Sequence, residues 1–224
     1  MKISRKSKIK ELVEFDINNG SVVIGTDEAG RGPVAGPVVA GAVYFPDFSE
    51  EVCEVIKFID DSKKFSSNPK LRKELSEGIK SVAKYSIQQC SVEEIDKINI
   101  LQASLLAMRK CCEDLIAQSS VNKDGLIILV DGKFVIPKYN YSQKAVKKGD
   151  TLSASIAAAS ILAKVYRDEL MQGLAEEFPQ YCWHKNKGYP TLAHREALKK
   201  HGACQWHRKT FLGKVLCEQK KLFK

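Results

Sequence analysis

SVVIGTDEAGRGPVAGPVVAGAVYF, residues 21–45, is the stretch on which the reading of this chain turns. SVVIGT is a short apolar run of the kind that forms a strand buried on both faces. VAGPVVAGAVYF (34–45) sets valines and aromatics between spaced glycines and reads as one or two strands with a bend or bulge. Two adjacent acids, Asp27 and Glu28, and a glycine-flanked arginine, Gly30-Arg31-Gly32, stand between these runs. Without side chains at 30 and 32, backbone amides and carbonyls can approach a sugar-phosphate closely. A tight turn alone would need the glycines but not Arg31. The segment also fits the permissive dinucleotide pattern G-x-G-x-x-A. Strand-like residues follow it, however, so no helix N-terminus is there to receive a pyrophosphate, and two acids would repel one. A nucleotide-dependent oxidoreductase is therefore set aside.

Working outward, residues 5–17 read as a short helix with Ile9, Leu12, Val13 and Ile17 on one side. Helical spacing recurs over 49–58, 69–82 and 98–117, and strands are expected at 83–92 and at LIILV (126–130). The longest helix spans about 152–177, with an alanine- and serine-rich face suited to close packing on a sheet. Phe178-Pro179 ends it; a glycine-bearing loop, NKGYPT, and helices over 191–200 and 209–220 follow. Strands come first and then alternate with helices, which gives an α/β or α+β sheet with helices on its faces. The expected division is a basic helical segment (1–20), a main domain (21–180) and a helical extension (181–224).

Three element ends carry acids: Asp27-Glu28 after the first strand, Asp131 after LIILV, and Asp150 before the long helix. Singly, each has an ordinary reading: a solvated strand end, an Asp-Gly turn, a helix N-cap. Together they would repel one another in one pocket. A hard divalent cation such as Mg²⁺ or Mn²⁺ removes that conflict and draws phosphate in. Two such ions about 4 Å apart suit phosphodiester cleavage.

The chain has 224 residues, 44% hydrophobic and 28% charged, with a net charge of +9. That charge favours a polyanionic partner, nucleic acid before membrane. No apolar run reaches membrane-spanning length, and the basic N-terminus lacks the apolar region of a signal peptide. Seven cysteines without C-x-x-C spacing fit a reduced, cytoplasmic protein. His201-x-x-Cys204-x-x-His207 lacks finger spacing and is assigned to packing or DNA-backbone contact rather than zinc.

GTDEAGRGPVAGPVVAGAV (25–43), DSKK (61–64), ILVDG (128–132), KGD (148–150), SIAAASILAKVYRD (155–168), KGYPTLAH (187–194) and HRKTF (207–211) run in the order of one family. Over about residues 22–215 the chain resembles the type 2 ribonucleases H, specifically bacterial ribonuclease HII. The resemblance implies a ribonuclease H-like fold: a mixed central sheet flanked by helices, with a C-terminal helical extension. It implies a monomeric endonuclease that uses Mn²⁺ or Mg²⁺ to cut the RNA strand of RNA–DNA hybrids. It further implies cutting on the 5′ side of single ribonucleotides in duplex DNA, leaving 3′-hydroxyl and 5′-phosphate ends. Asp27, Glu28, Asp131 and Asp150 match the family's catalytic, metal-holding acids. Gly30, Arg31 and Gly32 match the motif whose backbone contacts the ribose 2′-hydroxyl, the group that separates RNA from DNA. Tyr189 matches a tyrosine that packs on the sugar beyond the junction, and Lys63 and Lys164 match basic residues near the phosphates. The chain departs from the common pattern at Asn186, often histidine, at TLSAS (151–155), which lacks an acid, and at Cys182-Trp183. The alternative, a non-catalytic basic nucleic-acid-binding module, rests on charge alone and leaves the acids unexplained.

Overall fold

The computed structural model describes residues 5–59, 68–119 and 121–217. Strands β1 (Val22–Ala29), β2 (Val38–Tyr44), β3 (Lys84–Cys90), β4 (Leu126–Asp131) and β5 (Ser142–Val146) form one mixed sheet in the order β3-β2-β1-β4-β5. β1, β2 and β3 are an antiparallel meander; β4 and β5 run parallel to β1 and to each other. β1 is the centre, buried along nearly its whole length, as its apolar sequence predicts. In its register with β4, Thr26 lies beside Val130. Asp27 and Asp131, one residue further along two parallel strands, are therefore neighbours at the same end of the sheet.

The helices are α1 (Arg5–Asn19), α2 (Glu50–Val55), α3 (Pro69–Val82), α4 (Val92–Ser119), α5 (Ala154–Glu177), α6 (Trp183–Asn186), α7 (Leu192–His201) and α8 (Lys209–Cys217). α4 covers one face, where Ile95, Met108, Cys111 and Leu115 pack on Ile24, Val38, Ala40, Ile128 and Val130. α5 covers the other face at backbone distance. A Cβ on Gly25 would lie 2.3 Å from the Ile156 nitrogen, and one on Gly41 would lie 2.7 Å from the Ala159 carbonyl oxygen. The glycines of β1 and β2 and the alanines of α5 thus serve one purpose, which is to let helix and sheet backbones touch. α1, α2 and α3 pack around α5, through residues such as Leu12, Ile56 and Ile79. Asp16 of α1 is fully buried and accepts hydrogen bonds from Ser153 Oγ (2.5 Å) and Ser155 N (2.8 Å), which ties α1 to the start of α5.

The sequence reading differs from the structure at several places. Asp27 and Glu28 lie inside β1, because the ladder to β2 continues to Ala29–Val39. Residues 34–45 give one strand, beginning at Val38, preceded by a loop with an isolated bridge between Ala35 and His207. α4 begins at Val92 and breaks at Asn99 (φ 65°), whose side chain accepts from Leu101 N and Gln102 N. β5 (Ser142–Val146) forms where the sequence pattern points to no strand. Of the final predicted helix, residues 218–220 fall outside the described residues. No described helix is long and apolar enough to cross a membrane.

Candidate active site

The sheet alternation decides which acids meet. Odd-numbered residues of β1 face α5, as Gly25 does, so Asp27 points beneath that helix, where Ser160 hydrogen-bonds it. Asp27 is 7% exposed. Burial pushes its carboxyl well above the usual range, and the charges of Glu28 and Asp131 push it further. Burial also raises Glu28, but Arg31 opposes the shift, its Nη1 donating to Glu28 Oε1 at 3.0 Å. Asp131 is raised by burial and by Asp150, and held back by the Gly149 amide, which donates to its Oδ1 at 2.7 Å. That hydrogen bond anchors a short 3₁₀ turn, Gly149–Thr151, and so carries Asp150 to the site. Asp150 is not the cap of α5; Ser153 is, accepting from Ile156 N. Each of the four acids thus acts electrostatically on at least one of the others.

Hard oxygen donors that repel one another suit a divalent cation. Among the described residues no three His, Cys, Asp or Glu side chains converge as a finished metal cage. The hydrogen bonds give the reason: Glu28 is turned to Arg31, and Asp131 is held by Gly149. By charge and donor type the set fits such an ion, and Arg31 neutralises part of the charge of Glu28.

Beside the acids runs an open cleft lined by Glu28, the Gly30–Gly32 loop, Ser160, Lys164 and Tyr189. Gly30 is in the left-handed region (φ 97°), a conformation that a side chain would strain. Lys164 is on α5 and ion-paired to Asp168 one turn on. The Tyr189 ring is 46% exposed and lies over Gly32, where a Cβ would sit 3.2 Å from its Cε1.

Tyr189 is held from below. His194 Nδ1 is 2.9 Å from its carbonyl oxygen, and Asn186 ties the preceding turn through Tyr181 O and Gly188 N. His194 Nε2 also meets His207 Nε2 at 3.1 Å and accepts from Trp183 Nε1. Cys204 N donates to His207 Nδ1. The network fixes both tautomers: His194 carries its proton on Nδ1, His207 on Nε2, and both rings are neutral. Of the histidine–cysteine pattern seen in sequence, His207 and Cys204 belong to this packed cluster, while His201 is exposed.

The structure thus brings Asp27, Glu28, Asp131 and Asp150 to one end of the sheet, with Gly30, Arg31, Gly32, Lys164 and Tyr189 beside them. Lys63 lies outside the described residues. Three residues escaped the sequence reading: Ser160, Arg167 and Arg208. The two arginines are buried under the Gly30–Pro37 loop and bond its carbonyls. Their signal was available, since eight residues with two prolines and no helix leave carbonyls that something must satisfy.

Residues 24–214 match the ribonuclease HII family. The chain is 49% identical to ribonuclease HII of Fusobacterium nucleatum over 87% of both chains. It is 46% identical to that of Wolbachia pipientis from Culex pipiens, over 88% of this chain and 95% of the other. The ribonuclease H2 of Pyrococcus horikoshii superposes with a TM-score of 0.65 at 27% identity, covering 89% of this chain and 99% of that one. The mixed sheet, the acids gathered at its end and these likenesses agree: the chain belongs to the ribonuclease HII family and is a type 2 ribonuclease H.

Proposed function

We propose that the protein hydrolyses the RNA strand of RNA–DNA hybrids and cuts on the 5′ side of single ribonucleotides in duplex DNA. The observation that carries this reading is the adjacency of mutually repelling acids and a glycine loop in one cleft. Asp27, Glu28, Asp131 and Asp150 would hold Mn²⁺ or Mg²⁺, whose chemistry is to activate a water and stabilise the departing 3′ oxygen. Glu28, now paired with Arg31, would turn its carboxylate to such an ion, leaving the Arg31 guanidinium to face a phosphate. Ser160 and the Glu28 amide, which donates to Asp27 Oδ1 at 2.6 Å, keep the Asp27 carboxylate oriented. Lys164, with Lys63 from the DSKK segment, would neutralise the scissile and flanking phosphates.

The Gly30-Arg31-Gly32 backbone reads the ribose 2′-hydroxyl, because main-chain groups held in a fixed loop cannot swing aside. Tyr189 packs its flat ring on the next sugar, where a deoxyribose fits and an extra hydroxyl crowds. The test is cleavage of a labelled duplex carrying one ribonucleotide, with Mn²⁺ or Mg²⁺ and with chelator. A single metal-dependent cut 5′ of the ribonucleotide is expected, and Asp131→Asn should abolish it while keeping the fold. Full activity in that variant would remove the acids from the mechanism. Cutting of a long hybrid alone would remove the junction reading.

A further inference from the structure

The loop Gly30–Pro37 is neither helix nor ladder, yet its carbonyls are almost all satisfied. Arg208 reaches it from the C-terminal segment, and all five of its guanidinium donors are spent on loop carbonyls. Nε donates to Gly36 O (2.9 Å), Nη1 to Arg31 O (3.2 Å) and Pro33 O (2.7 Å), and Nη2 to Gly30 O (2.7 Å) and Pro37 O (3.2 Å). Arg167 of α5 adds bonds to Ala35 O (3.0 Å), Pro37 O (3.1 Å) and Lys187 O (3.0 Å). The two side chains are 0% and 1% exposed, and neither has a carboxylate among its hydrogen-bond partners. A buried cation bonded to carbonyls rather than to a carboxylate is a costly way to hold a loop, and suits one whose carbonyl directions must be fixed. Burial brings Arg208 down to about 9 and Arg167 to about 10, so both keep their full donor sets at neutral pH.

The direction matters because a trans peptide points its C=O and the following N–H to opposite sides. With the carbonyls of Gly30 and Arg31 drawn to Arg208, the amides of Arg31 and Gly32 are turned away from it. The cleft with Lys164 and Tyr189 also borders the loop. The packing leaves no slack: a Cβ on Gly30 would lie 2.1 Å from Arg167 Nε. We infer that Arg208, assisted by Arg167, is a positioning residue for ribose recognition, its planar fork setting the direction of the Arg31 and Gly32 amides. Lysine cannot substitute, since its three donors on one nitrogen cannot span five carbonyls. This inference rests on the proposed reading of the 2′-hydroxyl by that loop.

The experiment uses the Asp131→Asn protein as parent and measures binding, not cleavage. Dissociation constants are compared for a duplex DNA carrying one ribonucleotide and for the all-deoxy duplex of the same sequence. The parent should prefer the ribonucleotide duplex. Adding Arg208→Lys should erode that preference by about tenfold, with all-deoxy affinity changed less than about twofold. The lysine keeps the charge, so a purely electrostatic role would leave the preference intact and overturn the inference. A merely structural role would weaken both duplexes alike and overturn it too. A parent without any preference would sink the ribose-reading itself, an outcome distinct from failure of the arginine variant. If Arg208→Lys does not fold, Arg167→Lys, which leaves the five Arg208 bonds in place and removes only the supporting bonds to Ala35, Pro37 and Lys187, should erode the preference less, by about two- to threefold; an unchanged preference there overturns the inference.

Discussion

Asp27 is the most electrostatically burdened residue of the cleft, since burial, Glu28 and Asp131 all act against its ionised form. Asp27→Asn keeps an acceptor for the Glu28 amide and removes one of the repelling charges. It should abolish cleavage yet raise the melting temperature of chelator-treated protein by about 2–4 °C, or ~1 kcal/mol. A lower melting temperature would show that the Ser160 and Glu28 contacts require the carboxylate. Tyr189 makes a different demand. Loss of a stacking ring costs about tenfold in nucleic-acid contacts of this kind, so Tyr189→Ala should weaken junction cutting by that factor and hybrid cutting by less. Equal losses on the two substrates would refute its role. At this scale the acids were legible because strand ends announce themselves by an apolar run that stops. Arg167 and Arg208 were not, because a cation in sequence is counted as surface charge, and only the loop above them reveals that they are inside.

Among the elements, the contact of β1 and β2 with α5 is the one on which the site hangs, because it sets how far Ser160 and Lys164 stand from Asp27 and Glu28. Gly25→Ala would force a methyl against helix backbone rather than against a movable side chain. Overpacking of this kind costs about 1–3 kcal/mol, so a thermal melt should fall by about 3–10 °C. An unchanged melt would mean that α5 can slide outward freely. The small-residue face of α5 predicted this intimacy. β5 was hidden for the opposite reason: SQKAV opens with three polar residues because it is an edge strand whose residues alternate between exposed and more buried positions. Gln143, which reads as a loop residue, uses its amide to bind both the N–H and the C=O of Ile136. The break at Asn99 was likewise hidden, since asparagine is a weak helix former that tolerates positive φ, but one such residue does not by itself mark a kink.

For the molecule as a whole, the buried pair His194 and His207 couples stability to pH. Burial depresses both, His207 to about 4, with His194 adding to its shift. The unfolded chain protonates its histidines near 6.5, so below that pH it binds protons that the folded chain refuses. Stability from this pair is complete above about 6.5 and is lost as pH falls toward 4. Cys204, Tyr181 and Trp183 face the rings; no carboxylate is among these neighbours to rescue a charged imidazole. Melts from pH 7.5 to 4.5 should therefore show a slope that His207→Asn flattens. The raised carboxyls of Asp27 and Asp131 act with the opposite sign and are common to both proteins, so the difference isolates the histidines. An identical slope would mean that the pair opens to water.

The arginine clamp has one more consequence, for the order in which a chain is made. Arg208 meets carbonyls that precede it by 171 to 178 residues. On a ribosome the acids of β1, β4 and the 3₁₀ turn emerge, and can assemble, before that arginine exists. A nascent chain therefore passes through a stage in which the sheet and its acids are present but the loop beside them is slack. On the proposed reading of that loop, discrimination between sugars waits until the C-terminal segment has been made.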